Sequence, residues 1–145
     1  MRSLNLLLVA LFLGASLAGT AQCGLFFSEY AEGSSNNKYL EIYNPTSSVI
    51  DLTGYAYPST SNAPTVPGQY EFWNEFDEGA TIDPGGVYVI AHPSADASIL
   101  AFANETHTYL SNGDDGYGLV QGTEDAFTIV DVIGNWDADP GSGWE

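Results

Sequence analysis

Basic residues and cysteine are nearly missing from this chain of 145 residues. Arg2 and Lys38 stand against 19 acidic residues, which gives a formal net charge of −17. A surface with this much negative charge repels phosphate backbones and anionic membranes. We therefore predict no direct contact with nucleic acid. Cys23 is the only cysteine, which excludes a disulfide bond within one chain. The fold must therefore depend on its hydrophobic core or on metal ions.

Motifs of catalytic sites are missing too. His92 and His107 lie outside any metal-binding spacing such as H-x-x-x-H, and no G-x-S-x-G elbow of a serine hydrolase occurs. Lys38 is the only lysine that could serve nuclease chemistry. Glu29 and Glu41 lie on neighbouring predicted strands and could form a glycosidase-like pair, but such carboxylates are more often surface residues. We predict no catalytic residues and no enzymatic activity.

The chain begins with the features of a secretory signal peptide. Residues 6–13 form an unbroken apolar run that is too short to span a bilayer, and small residues suit cleavage after Ala21. We expect residues 1–21 to be removed, leaving one secreted domain at 22–145 without a transmembrane segment. Lipid attachment at Cys23 is an alternative, although the residues before it fit the lipoprotein pattern poorly.

Short β-type segments separated by turn residues fill the expected domain. The predicted strands are 26–30, 39–43, 49–52, 55–57, 70–76, 81–82, 87–91, 119–120 and 127–133. Val87 to Ala91 is apolar on both faces, which predicts a central strand. Residues 58–69 predict a long loop, a turn is expected at Gly122, and 94–102 predicts one short helix with Ser94 as its N-cap. This pattern indicates an all-β fold, a β-sandwich.

Five sequence blocks resemble the lamin-tail domain as it occurs in secreted bacterial proteins. They are LFFSEYAEGSSNNKYLEIYNPT at 25–46, DLTGY at 51–55, IDPGGVYVIAH at 82–92, SNGDDGYGLV at 111–120 and DVIGNWDADPGSGW at 131–144. The resemblance implies an immunoglobulin-like sandwich and a non-catalytic accessory module, often joined to extracellular nucleases, phosphatases or other surface proteins. Family members usually have one more strand after the last block, so we expect a C-terminal truncation. Gly116-Tyr117-Gly118 departs from the family pattern, and we expect a different hairpin there.

Two turns rich in aspartate and asparagine offer the oxygen ligands that calcium prefers. The candidate ligands are Asn112, Asp114, Asp115, Asp137 and Asp139. Their spacing is not that of an EF-hand, and the same residue types favour turns without any metal. Calcium is the one cofactor that the sequence suggests, and the alternative is no cofactor.

The segment from Tyr70 to Phe76 carries the strongest aromatic signal. In a strand, Trp73 shares a face with Glu71, Glu75 and Asp77, where it could stack on a sugar or contact a protein partner. The alternative is that Trp73 covers an edge of the sandwich. We predict an extracellular module for binding, anchoring or spacing within a larger secreted protein. The alternatives are a calcium-dependent module that binds polysaccharide or a cell surface, and the N-terminal accessory domain of a secreted nuclease or phosphatase.

Overall fold

The computed structural model describes residues 24–62, 64–110, 113–141 and 143. The expected signal peptide and Cys23 lie outside these residues. The described part contains ten strands and one short helix. They are β1 (Phe26–Glu32), β2 (Lys38–Tyr43), β3 (Ile50–Asp51), β4 (Tyr55–Ala56), β5 (Ser59–Thr60), β6 (Thr81–Ile82), β7 (Val87–Ala91), α1 (Ala97–Leu100), β8 (Glu105–Thr106), β9 (Gly116–Thr123) and β10 (Ala126–Ile133).

The first sheet has the strand order β1-β2-β7-β8. β1 and β2 form an antiparallel hairpin, as the small polar residues between two aromatic segments predict. The Gly33 N–H donates to the Asn37 carbonyl at 2.7 Å and closes the turn. β7 pairs antiparallel with β2, and β8 then pairs parallel with β7. The prediction that residues 87–91 form a central strand is therefore confirmed.

The second sheet has the order β10-β9-β4, and β5 also pairs with β9. β9 and β10 form a hairpin in which Thr123 lies opposite Ala126, so only two residues make the turn. The turn predicted at Gly122 is wrong, because Gly122 is itself a strand residue opposite Phe127. β3 and β6 pair with each other outside the two main sheets.

The core lies between the two main sheets. Leu40 and Ile42 are fully buried and alternate along β2 with more exposed neighbours, as expected for a strand with one face in the core. Tyr117 and Leu119 of β9 meet them from the opposite sheet. Burying each large aliphatic side chain contributes about 1.5–3 kcal/mol, so this contact makes a large contribution to the stability. The predicted all-β, immunoglobulin-like sandwich is confirmed.

The predicted helix exists but is shorter than 94–102. α1 has four residues, and Asp96 rather than Ser94 occupies its N-cap without a side-chain capping bond. Ile99 of α1 and the nearby Phe102 line a small groove together with Val89 of β7. The helical segment therefore covers the outer face of β7, which explains why that strand is apolar on both faces.

The strand predicted at Tyr70–Phe76 is wrong. This segment makes only two isolated bridges, Ala56 with Glu75 and Ser59 with Phe72. Conversely, the loop predicted at 58–69 contains β5, whose two residues are buried. Residues that usually form turns adopt a strand here because β5 pairs with β9. Local propensity could not predict this, because the partner strand is distant in the sequence.

Residues 116–118, which depart from the family pattern, form the beginning of β9. A side chain at Gly116 would place its Cβ 2.7 Å from Trp136 Cδ1, and one at Gly118 would lie 2.5 Å from Trp136 Cζ2. The two glycines thus leave a slot in the sheet surface that the Trp136 indole fills. Real Cβ atoms do not approach other atoms so closely, so the glycines are a packing requirement.

Candidate functional site

A groove of about 690 Å³ opens at one end of the sandwich, and we call it the aromatic groove. Residues of both main sheets line it, together with the segments that follow them. The side chains that define it are Lys38, Thr60, Phe72, His107, Tyr109 and Tyr117.

Two aromatic rings of the groove are presented to solvent on a fixed backbone. Phe72 is 55% exposed, yet its N–H and carbonyl both bond to Ser59, at 3.0 and 2.9 Å. Tyr109 is 82% exposed, yet its carbonyl accepts a hydrogen bond from the buried Tyr117 hydroxyl at 2.9 Å. The adjacent Leu110 is buried in the core. Hydrogen bonds therefore hold the backbone of both residues in place while their rings stay uncovered.

Polar groups form the wall beside these rings. Thr60 is only 1% exposed, and its Oγ1 has no hydrogen-bond partner among the described residues. The Asn74 amide nitrogen donates to the Tyr57 carbonyl at 3.0 Å and to Ser59 Oγ at 3.2 Å. Asp115 Oδ1 accepts the Asn62 N–H at 2.8 Å. Amide, hydroxyl and carboxylate groups thus lie beside exposed aromatic surface.

The register of three neighbouring strands brings Lys38, His92 and His107 to the groove. The His92 N–H donates to the Lys38 carbonyl at 3.0 Å, and the His107 N–H donates to the Ala91 carbonyl at 2.9 Å. Parallel pairing of β7 with β8 places residue 91 beside residue 106, so the two histidines follow side by side. Nothing in the sequence indicates that the two histidines are neighbours, because sequence reasoning did not predict the parallel pairing of β7 with β8.

The two histidines differ in their surroundings. Burial lowers the pKa of His107, the charge of Glu105 opposes that shift, and His92 adds to it. The His107 ring meets Tyr57 edge to face at 5.6 Å between ring centroids. His92 Nδ1 accepts the Ser94 N–H at 3.0 Å, so its neutral ring carries the proton on Nε2.

A buried carboxylate anchors the strand that carries His107. Glu105 is 8% exposed, and its carboxylate accepts hydrogen bonds from the Tyr57 hydroxyl at 2.6 Å, the Tyr88 hydroxyl at 2.9 Å and the Asp77 N–H at 3.1 Å. Burial and the bond to Glu105 raise the pKa of both tyrosines well above the usual range. Sequence reasoning missed this cluster because the two tyrosines lie 48 and 17 residues from Glu105 along the chain. Glu105 accepts all three hydrogen bonds from residues of the fold, so the cluster has a structural role.

The predicted calcium ligands are not assembled into one site within the described residues. Asn112 lies outside them. Asp139 Oδ1 accepts the Gly141 N–H at 2.6 Å, and the Asp137 N–H donates to Asn135 Oδ1 at 2.7 Å, as in metal-free turns. No three His, Cys, Asp or Glu side chains in the described part converge in a way that could hold a metal ion. Calcium binding by Asp114, Asp115 and the other candidates stays a prediction.

Trp73 lies in a second aromatic cluster, away from the groove. Its ring packs 5.5 Å from Tyr70 and 5.6 Å from Phe127, and its Nε1 donates to Glu75 at 3.2 Å. The exposed ring of this segment is Phe72, which strand periodicity placed on the face of Tyr70 and Phe76. The periodicity failed because the segment is not a strand. Ligand binding by Trp73 stays a prediction.

Glu29 and Glu41 are directly opposite each other on β1 and β2, as predicted. Glu29 accepts the Tyr39 hydroxyl at 2.7 Å, and Glu41 accepts the Ser28 hydroxyl at 2.7 Å. Hydrogen bonding to Glu29, together with burial, raises the pKa of Tyr39. The pair thus lies on the surface with neighbours of its own.

The two packed sheets define the chain as an immunoglobulin-like β-module. Residues 18–135 match the family model of the lamin tail domain, so the chain belongs to the lamin tail domain family, whose members are non-catalytic immunoglobulin-like domains. The match stops before Asp137 and Asp139. Comparison with curated proteins gives no match. Across the described ranges, no helix combines the length and apolar character needed to cross a membrane.

Proposed function

We propose that this lamin tail domain is a non-catalytic extracellular module that binds polysaccharide through the aromatic groove, within a larger secreted protein. The observation that supports this most strongly is the pair of exposed rings, Phe72 and Tyr109, on hydrogen-bonded backbone in one groove. A sugar ring has an apolar face that can stack on an aromatic ring, and hydroxyl groups around its edge that need hydrogen-bond partners.

The groove matches those needs in size and in chemistry. Its volume of about 690 Å³ lies within the usual range for sites that bind small molecules. Asn74 and Asp115 supply polar groups next to the rings.

A catalytic role is not part of this proposal. Hydrolysis of a glycosidic bond needs an acid and a base or nucleophile, each on its own side of the scissile bond. Of the carboxylates near the groove, Glu105 is held by three donors of the fold, and Asp115 bonds to the Asn62 backbone. Export and membership of a longer protein are proposed from the expected signal peptide and from the family resemblance.

The test is retention of the purified chain, from residue 22 onward, on insoluble polysaccharides such as cellulose, chitin, starch granules and cross-linked pectin. Phe72→Ala and Tyr109→Ala should each weaken binding about fivefold to tenfold, because losing a central aromatic contact costs about 1 kcal/mol or more. Phe102→Ala is the matched control, since Phe102 is 76% exposed but lines the small groove beside α1.

Two results would contradict the proposal. One is absence of binding to every polysaccharide by a folded, monodisperse sample. The other is binding that Phe72→Ala and Tyr109→Ala leave unchanged or that Phe102→Ala weakens equally. Thermal melting of each variant separates loss of binding from loss of the fold.

A further inference from the structure

We propose that the small groove beside α1 is a second binding site, which takes an arginine side chain from a basic segment of a partner protein. The groove has a volume of about 280 Å³ and lies on the outer face of the first sheet. Sites for small molecules usually measure about 300–1,000 Å³, so this groove suits a single side chain better than a whole ligand. Its walls combine apolar surface with two carboxylates, Glu29 and Glu41.

Hydrogen bonds at both ends fix the segment that forms the apolar wall. At the start of α1, the Asp96 N–H donates to Asn37 Oδ1 and Asn37 Nδ2 donates to Asp96 Oδ2, both at 2.8 Å. After α1, the Asn104 N–H donates to the Val89 carbonyl and Asn104 Oδ1 accepts the Val89 N–H, again at 2.8 Å. Between these anchors lies Phe102, which is 76% exposed. A partner can contact a ring on such an anchored segment without first having to order the backbone.

The two carboxylates face each other across β1 and β2 without a positive partner. Glu29 and Glu41 are directly opposite, and like charges at opposite positions of antiparallel strands destabilise a sheet. Their hydrogen-bond donors, the Tyr39 and Ser28 hydroxyls, are neutral. Among the described residues, neither glutamate forms an ion pair, and no lysine or histidine side chain lines this groove. The sheet therefore carries a repulsion that a bound cation would relieve.

Both negative charges act at one point of the groove, the Tyr39 hydroxyl. Hydrogen bonding to Glu29 is the largest cause that raises the pKa of Tyr39, followed by burial and by the charges of Glu29 and Glu41. An ionised carboxylate has about four acceptor positions, so each glutamate can accept further bonds beside the one from its hydroxyl neighbour. Val89 and Phe102 add apolar surface to the same groove. A ligand that fits must therefore combine positive charge with apolar carbon.

Arginine fits this combination better than other cations. Its planar guanidinium can donate to carboxylates and stack on an aromatic ring such as Phe102, while its aliphatic stem lies along apolar surface. Lysine supplies the charge and the stem but lacks the planar fork. Calcium needs about six to eight oxygen ligands, and in the described ranges no three His, Cys, Asp or Glu side chains converge to hold a metal ion.

The charge of the chain favours a different, basic protein as the partner. The only arginine is Arg2, which belongs to the expected signal peptide, so a second copy of the secreted domain would not supply the side chain. Two copies with a formal net charge of −17 each would also repel each other. The same negative charge attracts a basic protein and speeds its association. The small groove then provides the specific contact.

Isothermal titration calorimetry at physiological ionic strength tests this inference. The probe is an octapeptide in which arginine alternates with serine. One comparison peptide replaces every arginine by citrulline, which keeps the shape but carries no charge, and another replaces every arginine by lysine. We expect the citrulline peptide to bind at least about tenfold more weakly and the lysine peptide about threefold more weakly.

Variants of the purified chain locate the binding. Glu29→Gln and Glu41→Gln should each weaken binding of the arginine peptide about threefold, and Phe102→Ala about twofold to fivefold. Glu124→Gln is the matched control, because it removes the same charge from the exposed turn between β9 and β10. Glutamine at position 29 or 41 keeps an acceptor for the neighbouring hydroxyl and removes the repulsion, so the melting temperature should not fall.

Three results would overturn the inference. The first is an arginine peptide that does not bind, or that binds no more tightly than either comparison peptide. The second is an effect of Glu124→Gln as large as that of Glu29→Gln, because this would show general attraction to a negative chain. The third is dimerisation that Phe102→Ala abolishes, because a second copy would then occupy the groove. None of these results affects polysaccharide binding by the aromatic groove, so the two proposals fail independently.

Discussion

Replacing Glu105 by glutamine should destabilise the fold far more than removing any exposed carboxylate. Glu105 Oε2 accepts two hydrogen bonds, from the Tyr88 hydroxyl and the Asp77 N–H, whereas Oε1 accepts only the Tyr57 hydroxyl. The new amide nitrogen will take the Oε1 position, where only the Tyr57 hydroxyl must turn round. All three bonds then lose the contribution of a charged acceptor.

The magnitude follows from those three bonds. Hydrogen bonds to a charged group contribute about 1.5–3 kcal/mol each and neutral ones about 1, so the exchange should cost about 2–3 kcal/mol after local adjustment. Glu105→Ala leaves two hydroxyls and one N–H of the cluster without this acceptor and should cost about 4–6 kcal/mol. For a domain of this size, the first change lowers the melting temperature by about 6–12 °C.

Urea unfolding of the purified chain measures these values directly. Glu124→Gln is the matched control, because Glu124 is an exposed residue in the turn between β9 and β10. It should change stability by less than about 0.5 kcal/mol. Equal stability of Glu105→Gln and Glu124→Gln would refute the view that the buried Glu105 carboxylate holds β8 in place.

Further predictions concern pH, packing and calcium. Burial raises the pKa of Tyr57 and Tyr88, so the folded chain keeps both hydroxyls protonated above about pH 10, where the unfolded chain ionises them. The fold should therefore lose stability above that pH, and the tyrosinate absorbance of these two residues should appear only with unfolding. Burial lowers the pKa of His107, so the unfolded chain takes up that proton first and stability should fall below about pH 6.5; His107→Gln should flatten this slope. Gly118→Ala should cost about 1–3 kcal/mol by displacing the indole, whereas Gly24→Ala, with its nearest neighbour at 3.8 Å, should be tolerated. If the aspartate-rich turns bind calcium, millimolar calcium should raise the melting temperature, and no rise would end that prediction.

The strands that sequence reasoning predicted well are those with a pattern of their own. Residues 39–43 alternate between core and surface, and residues 87–91 are apolar throughout, so their periodicity indicates a strand without knowledge of the partner. The hairpin between 26 and 43 carries its turn residues in sequence. The sandwich follows from these features and from the family blocks.

The groove could not be predicted, because its parts depend on pairings between distant segments. Phe72 is exposed because Ser59 pairs with its backbone, while the neighbouring Trp73 turns inward. The two histidines meet through the parallel pairing of β7 with a strand of two residues, which is too short to leave a periodic signal. The Tyr57, Tyr88 and Glu105 cluster likewise joins residues that no local pattern connects.

Chemical-shift mapping by NMR tests the central claim most directly. The purified chain would be titrated with a fragment of whichever polysaccharide retains it. Polysaccharide binding through the aromatic groove predicts the largest shifts at Thr60, Phe72, His107 and Tyr109, with little change on the exposed face of β10. Shifts centred on Trp73 or on the aspartate-rich turns, with the groove unaffected, would contradict it.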